Sequence, residues 1–255
     1  MVGKHLAKVS GAVASALLFL GVWTLFAMLF NSFIFPSPLE VAKTLTELFA
    51  TGEIFPHIFA TLNRAIIGFF LGLAVGSTFG YLTGMSRIFS LIVKPILELL
   101  RPIPPIAWIP LAILWFGIGD ASAFFMIFIA SFFPVYTSVY FGVTSLPVVL
   151  ERVAKNYSLT VVQKFIHIIF PFSLPYLIAG SKTAIGIAWM CVIVAEIIAS
   201  SQGLGYFIEV SRFSLEPTRV ISAMLIIGVI GLVLHNLIEL VEKKATSWRS
   251  VVYGE

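Results

Sequence analysis

The sequence predicts an all-α integral membrane protein with six transmembrane helices and one polar-edged helical loop between the fourth and the fifth. Three observations predict it. The 255 residues are 59% hydrophobic and only 11% charged, with a mean hydropathy of +1.04, whereas soluble domains carry about 25% charged residues. Six apolar stretches approach or exceed the roughly 20 residues a helix needs to cross a bilayer. Between the fourth and fifth, residues 150–171 read LERVAKNYSLTVVQKFIHIIFP, where charges and amides interrupt the oil but hydrophobic residues recur every three or four positions. The whole chain, 1–255, is expected to form a single membrane domain, because the spans leave nothing for a soluble module.

The basic N-terminus MVGKHLAKVS precedes an apolar run that is long enough to span, so the first span, about 12–34, is expected to be an uncleaved anchor; a cleaved signal peptide is the alternative. FPSPLEVAKTLTELFATGEIFPH then opens on a proline turn and continues as an amphipathic helix. The second span, about 58–84, carries Gly68, Gly72, Gly76, Gly80 and Gly84 four apart. That spacing places them on one ridge, where a second helix can approach closely, within the subunit or across a dimer. MSRIF turns the chain into the third span, about 90–117. Its RPIPPIAWIP stretch holds Pro102, Pro104, Pro105 and Pro110. Prolines remove donors and orphan carbonyls, so this is either a broken helix lining a cavity or a kink packed on its neighbours.

GIGDAS turns into the fourth span, about 122–146, which Pro134 kinks. Ser131, Tyr136, Thr137, Ser138 and Tyr140 surround that proline and are candidates for lining a polar route, although serines and threonines also bond back to their own helix. The loop 147–171 and the fifth span, about 174–199, follow. SSQGLGYFIEVSRFSLEPT leads to the sixth span, about 219–241, and a basic tail.

Cytoplasmic loops are rich in Lys and Arg. With the N-terminus inside, Lys4, Lys8, Arg87, Lys94, Arg101, Arg152, Lys155, Lys164, Lys182, Lys243, Lys244 and Arg249 face the cytoplasm, against Lys43, Arg64, Arg212 and Arg219 outside. Both termini are then cytoplasmic, and so is the loop 147–171. In that loop Val149, Val153, Tyr157 and Val161 share a helix face, Leu150 and Ala154 widen it, and a second apolar patch precedes Pro171. Two short helices bent near Ser158–Thr160 are expected. Either the segment lies on lipid headgroups or it docks a cytoplasmic partner; a bare connector needs only 2–8 residues.

VAKNYSLTVVQKFIHIIFPFSLP resembles the cytoplasmic loop of binding-protein-dependent ABC importer permeases. The family pattern is Glu-Ala-Ala, three residues, Gly, some nine residues, then hydrophobic-x-hydrophobic-Pro. Aligned on Pro171, its second Ala falls on Ala154, its first on Val153, its Glu on Arg152 and its Gly on Ser158. Serine adopts positive φ less readily than glycine, so a regular bend is expected. FPSPLEV, RPIPPIAWIPLAILWFGIG and GSKTAIGIAWMCVIVAEIIASSQGLGYFI extend the resemblance to the branch handling nitrate, sulfonate, taurine, bicarbonate and pyrimidine precursors.

The resemblance implies a type I importer-like fold in a bacterial inner membrane. It also implies a second permease subunit, taken as a homodimer, cytoplasmic ABC ATPase subunits and an extracytoplasmic substrate-binding protein that delivers a small solute. It makes Glu151, Arg152, Val153, Ala154, Lys155, Tyr157, Ser158 and Leu159 the ATPase-docking coupling helix. ATP and Mg belong to the partner ATPase, and this chain binds no cofactor. The chain holds no Walker motif, metal-ligand spacing or basic–aromatic stripe for nucleic acid, and its lone Cys191 rules out an internal disulfide.

Three acids fall inside the spans. Glu98 has Arg101 one turn away, and Glu239 lies near the cytoplasmic exit. Glu196 has no nearby cation: it faces the route, is protonated or, preferably, meets a distant partner, with Ser200 and Ser201 close by in sequence. A secondary transporter or channel, and an intramembrane enzyme, are the alternatives from other classes.

Overall fold

The computed structural model describes residues 2–30 and 34–253, and every regular element among them is helical. In chain order these are α1 (Val2–Leu29), α2 (Pro38–Thr51), α3 (Ile54–Met85), α4 (Arg87–Leu100), a short turn of tight helix (Pro105–Trp108), α5 (Ile109–Phe116), α6 (Asp120–Thr144), α7 (Val148–Asn156), α8 (Val161–Lys164), a π-helical turn (Phe165–Ile169), α9 (Phe170–Ala199), α10 (Leu204–Phe213) and α11 (Pro217–Tyr253).

The pair α3–α6 makes the most extensive helix contact, and the glycine ridge is its cause. A Cβ at Gly68 would meet Ile127, one at Gly72 Ser131, one at Gly76 Val135 and the Phe132 carbonyl, one at Gly80 Val139, and one at Gly84 Val143. The pairing rises in step along both chains, so the two helices run parallel. Both then start on one side of the molecule, and the chain between them has to cross back. That return is α4 plus α5, bent by 95° at the proline stretch.

Helix α9 lies antiparallel to α6: Gly142 packs on Tyr176, and Gly180 on Ser138 and Pro134. Phe69, Val135, Val139, Ile169 and Ile185 close the core where α3, α6 and α9 meet. Helix α11 runs antiparallel to α9, tied by Trp189 Nε1 donating to the Ile227 carbonyl (3.2 Å) at one level and by Lys182–Glu242 (3.0 Å) at another. Helix α2 begins with a capping box: Ser37 accepts from the Glu40 amide while the Glu40 carboxylate accepts from the Ser37 amide, satisfying two orphan donors. It ends at Gly52, whose φ of 79° suits glycine.

Among the described residues four helices, Ile54–Met85, Asp120–Thr144, Val161–Ala199 and Pro217–Leu240, are long and apolar enough to span, or five crossings with the bent pair. Several expectations change. The expected first span reaches residues 31–33, outside the described residues; among the described residues its apolar helix is Ala14–Leu29, within α1. The third span is not continuous, because Pro102, Pro104 and Pro105 deny the backbone the donors a straight helix needs. The fifth does not begin near 174. Its helical run starts at Val161, so the second short helix of the loop is the foot of that span, and the π turn lies within it. The polar tail is a helical extension of α11. Within the fifth break lies α10, which burial of Leu204 and Phe207 against Leu48, Ile54 and Ala223 holds in place.

Candidate functional site: an exposed loop, two cavities and a buried ionic hub

The helix directions divide the bundle into two ends. At one lie the α3–α4 turn and the loop between α6 and α9; at the other lie α2, the start of α6, and α10.

The α7–α8 loop occupies the first end. Val148, Val149, Val153, Tyr157, Val161 and Val162 are exposed, Tyr157 at 76%. Glu151, Arg152 and Lys155 are exposed beside them, and Leu159 is half-buried. This is an apolar face without cover from its own chain, rimmed by charge. Ala154 departs from the expected docking side: it is 5% exposed and turned into the chain. Ser158 also departs from expectation. Its φ is +51°, so the bend takes the left-handed form that glycine takes most easily. The Leu159 amide donates to the Ala154 carbonyl and the Ser158 amide to that of Lys155. These bonds close the turn around the strained residue. Thr160 then caps α8 in a box with Gln163.

The residues proposed for a polar route separate into three environments. Thr137 and Ser138 line a cavity of about 330 Å³ with Arg101, Pro105, Phe133, Pro134 and Thr183. Tyr136 and Thr137 line a second, of about 300 Å³, with Lys94, Glu98, Arg101 and Tyr140. The break at 101–105 therefore borders cavities. Ser131 does not reach them. It is fully buried under Gly72, and its hydroxyl makes no hydrogen bond among the described residues. Glu98 does not pair with Arg101: its partner is Lys94, at 3.6 Å.

Glu196 lies at the opposite end, in a polar hub. It is fully buried and accepts from Arg64 Nη1 (2.7 Å), from Thr61 Oγ1 (2.8 Å) and from the Gly205 amide (2.9 Å). Arg64, 5% exposed, also reaches the Gln202 carbonyl (2.6 Å) and Asp120 (2.7 Å). Thr61 in turn accepts from the Leu204 amide, and the Gly203 carbonyl lies 3.0 Å from His57 Nδ1. One guanidinium thus ties α3 to the start of α6, the end of α9 and the turn into α10. A buried charge pair survives only when its remaining donors and acceptors are satisfied, and here they are. Ser200 does not take part: its hydroxyl has no hydrogen bond among the described residues. Arg64 therefore lies inside the bundle and not in an outer loop; the sequence signal for it is a lone cation inside one apolar run, matching a lone acid inside another.

Close to the hub end, α2 and the α10–α11 turn frame an open cleft of about 650 Å³ lined by Glu40, Glu47, Glu53, Glu216 and Arg219. Arg219 pairs with Glu53 and Glu216. The Ser37 amide and hydroxyl hold the Glu40 carboxyl below its ordinary value.

Among the described residues no three His, Cys, Asp or Glu side chains converge as metal ligands do. Comparison with known proteins gives the family. Residues 68–247 match the family of binding-protein-dependent transport system inner membrane components. A putative ABC transporter permease of Methanocaldococcus jannaschii is 37% identical, covering 91% of this chain and 89% of that one. The putative aliphatic sulfonates transport permease SsuC of Bacillus subtilis is 34% identical, covering 87% and 80%. The taurine transport system permease TauC of Escherichia coli is 29% identical, covering 96% and 92%. The fold matches a chain from inward-facing structures of the MetNI methionine ABC transporter with a TM-score of 0.67 at 16% identity, covering 76% of this chain and 96% of that one. The chain belongs to the family of binding-protein-dependent transport system inner membrane components: it is a permease subunit of an ABC importer, a transport component and not an enzyme.

Proposed function

We propose that this subunit pairs with a second copy to form the path for a small anion such as nitrate, bicarbonate or a sulfonate. An extracytoplasmic binding protein delivers the solute to the end carrying α2, α10 and the acidic cleft. Cytoplasmic ATPase subunits, which hold ATP and Mg, dock on α7 and the foot of α9. The chain crosses the inner membrane six times with both termini in the cytoplasm. Closure of the ATPase dimer pushes the α7–α8 loop, and the spans rock between inward-open and outward-open states. Linkage requires that whatever favours the outward-open state binds it more tightly than the inward-open one.

One observation carries this reading. Val149, Val153, Tyr157 and Val161 form an exposed apolar face on an otherwise charged loop, and a soluble partner is what covers such a face in water. The names of two relatives, for sulfonates and for taurine, support a solute with an anionic sulfonate group. The test is co-purification with the ATPase encoded beside the permease. Tyr157→Glu and Val161→Asp keep the membrane fold, because both side chains are exposed, yet lose the ATPase. Undiminished co-purification by both variants sinks the docking assignment. Ala154→Asp is a folding control, not a docking probe, since its methyl group is buried.

A further inference from the structure

We infer that Arg101 is the anion-contacting group of the translocation path, receiving a small oxyanion at the break between α4 and α5. The inference rests on the proposed reading of the two cavities as part of the path.

The two cavities of about 330 and 300 Å³ share Arg101 and Thr137 as lining residues. Their depth follows from α9. Thr183, on the wall of the larger cavity, lies sixteen residues from the end of α9 at Ala199, about 24 Å at 1.5 Å per residue, and farther still from the foot of that helical run at Val161. The cavity therefore lies between the two ends of the bundle, and the exposed Arg101 side chain borders it, deeper than the cytoplasmic place the charge count gives that residue. A cation at that depth is costly and needs a counter-charge or water.

The local charges are otherwise satisfied. Glu98 is held by Lys94 at 3.6 Å, and the Lys94 ammonium also sits over the Tyr140 ring, 5.0 Å from its centroid. Arg101 has no ion-pair partner among the described residues. Its backbone amide donates to the Leu97 carbonyl, but its side chain is left to the cavities. Two of the neighbouring hydroxyls are spent on their own helices: Thr137 Oγ1 donates to the Phe133 carbonyl at 2.8 Å, and Thr183 Oγ1 to that of Ala179 at 3.2 Å; Ser138 and Tyr136 remain as neutral donors beside the guanidinium. Pro134 and Pro105 contribute no backbone donor. The guanidinium, with five donors in a planar fork, is the cationic donor that both cavities share. That fork matches the geometry of nitrate, carboxylate or sulfonate oxygens, which accept two parallel bonds. Cavities of this size suit small ligands. Glu98 lies across the second cavity with its charge compensated, so an arriving anion meets one net positive charge.

The experiment uses the whole importer, the permease–ATPase complex with its binding protein, in proteoliposomes, and follows uptake of nitrate and methanesulfonate per assembled complex. Arg101→Gln is expected to lower anion uptake about tenfold or more, the loss of a charge-assisted pair. Arg101→Cys provides a second arm that does not depend on the fold of the glutamine variant, because Cys191 is the lone native cysteine and is buried. Modifying the folded Arg101→Cys complex with an ammonium-bearing methanethiosulfonate restores uptake, and modifying it with the sulfonate-bearing reagent does not. Wild-type uptake by Arg101→Gln, or equal effects of the two reagents, overturns the assignment. A wild-type complex that couples ATP hydrolysis to its binding protein but moves neither anion removes the anion reading and this site together. A complex that fails to assemble with the ATPase at all counts against the docking reading instead.

Discussion

Replacing Gly72 by alanine tests whether close approach of α3 and α6 organises this permease. The added Cβ would stand 2.5 Å from Ser131 Cβ, 2.8 Å from the Phe128 carbonyl and 3.1 Å from the Phe132 amide. Ordinary contact begins near 3.4 Å, so the helices must part by about 1 Å. Two of the three obstacles are backbone, which cannot rotate away. Neighbouring contacts at Gly68 and Gly76 open as well, and a gap of 0.5–1 Å forfeits about a quarter to a half of each dispersion well. Overpacking of this kind costs roughly 1–3 kcal/mol. The helix gains about 1 kcal/mol from losing a glycine, leaving a net loss of up to about 2 kcal/mol. Gly228 on α11 is the matched control, since nothing lies within 4 Å of its added Cβ; there only the gain of about 1 kcal/mol remains. The two variants should differ by roughly 1–3 kcal/mol, which at 2–4 °C per kcal/mol separates their melting temperatures by about 2–12 °C. Thermal unfolding in detergent, read by Cys191 accessibility to a thiol dye, measures this. Gly72→Ala melting at or above Gly228→Ala would refute the packing argument.

Three other outcomes follow from the same geometry. Glu196→Ala strands the buried Arg64 guanidinium and should cost about 3–5 kcal/mol, whereas Asp120→Asn, whose carboxylate is 63% exposed, should cost less than about 1 kcal/mol; equal losses in thermal unfolding contradict the hub as drawn. Ser158→Gly relieves the left-handed residue and should stabilise the loop by about 0.5–1 kcal/mol, seen as slower tryptic cutting after Lys155; faster cutting tells against strain there. Glu40 has its carboxyl held below the ordinary value of 4.5, so the stability it lends to the start of α2 is present above that value and is lost as pH falls through the lower, folded one. Amide protection of Glu40 and Val41 should therefore decline in that window in the native chain and stay flat in Glu40→Gln, which has no carboxyl to titrate.

Much of the fold is legible in the sequence because lipid leaves few choices. A long apolar run has to be a helix, so α3, α6, α9 and α11 announce themselves. The glycine ridge is legible for the same reason: five glycines on one face have no use except close approach. What escaped is what depends on distance along the chain or on backbone detail. Arg64 and Glu196 lie 132 residues apart, and only the fold brings them together. Helix α10 hides in a glycine- and serine-rich stretch because its stability comes from Leu204 and Phe207 packing on α2, α3 and α11 rather than from its own propensity. Ser158 adopts positive φ although serine disfavours it, because the hydrogen bonds to the Ala154 and Lys155 carbonyls fix the turn. Lys94 takes Glu98 because a four-residue spacing, with Tyr140 beneath the ammonium, beats the three-residue one to Arg101.

These details bear on how force would travel. The proposed ATPase grip at α7 lies one turn from α8, and from Val161 the chain is helical without a break to Ala199. A push at that foot is delivered along a stiff rod to the opposite end of the molecule, where Glu196 is locked to Arg64. The Arg64 grip on Asp120, the first residue of α6, is the weaker arm, because Asp120 is exposed and water screens that bond. Rocking should therefore open the Arg64–Asp120 contact and keep Arg64–Glu196. Helices α3 and α9 would then move as one body, while the bent α4–α5 pair, joined by a proline-rich break with few donors to lose, takes up the displacement beside Arg101. Neutralising each arm in turn tests the idea: Asp120→Asn, which removes the contact expected to open, should leave uptake intact, whereas Glu196→Gln, which removes the grip expected to hold, should lower it. Loss of uptake in Asp120→Asn, with the complex still assembled, would mean that the outer end moves elsewhere.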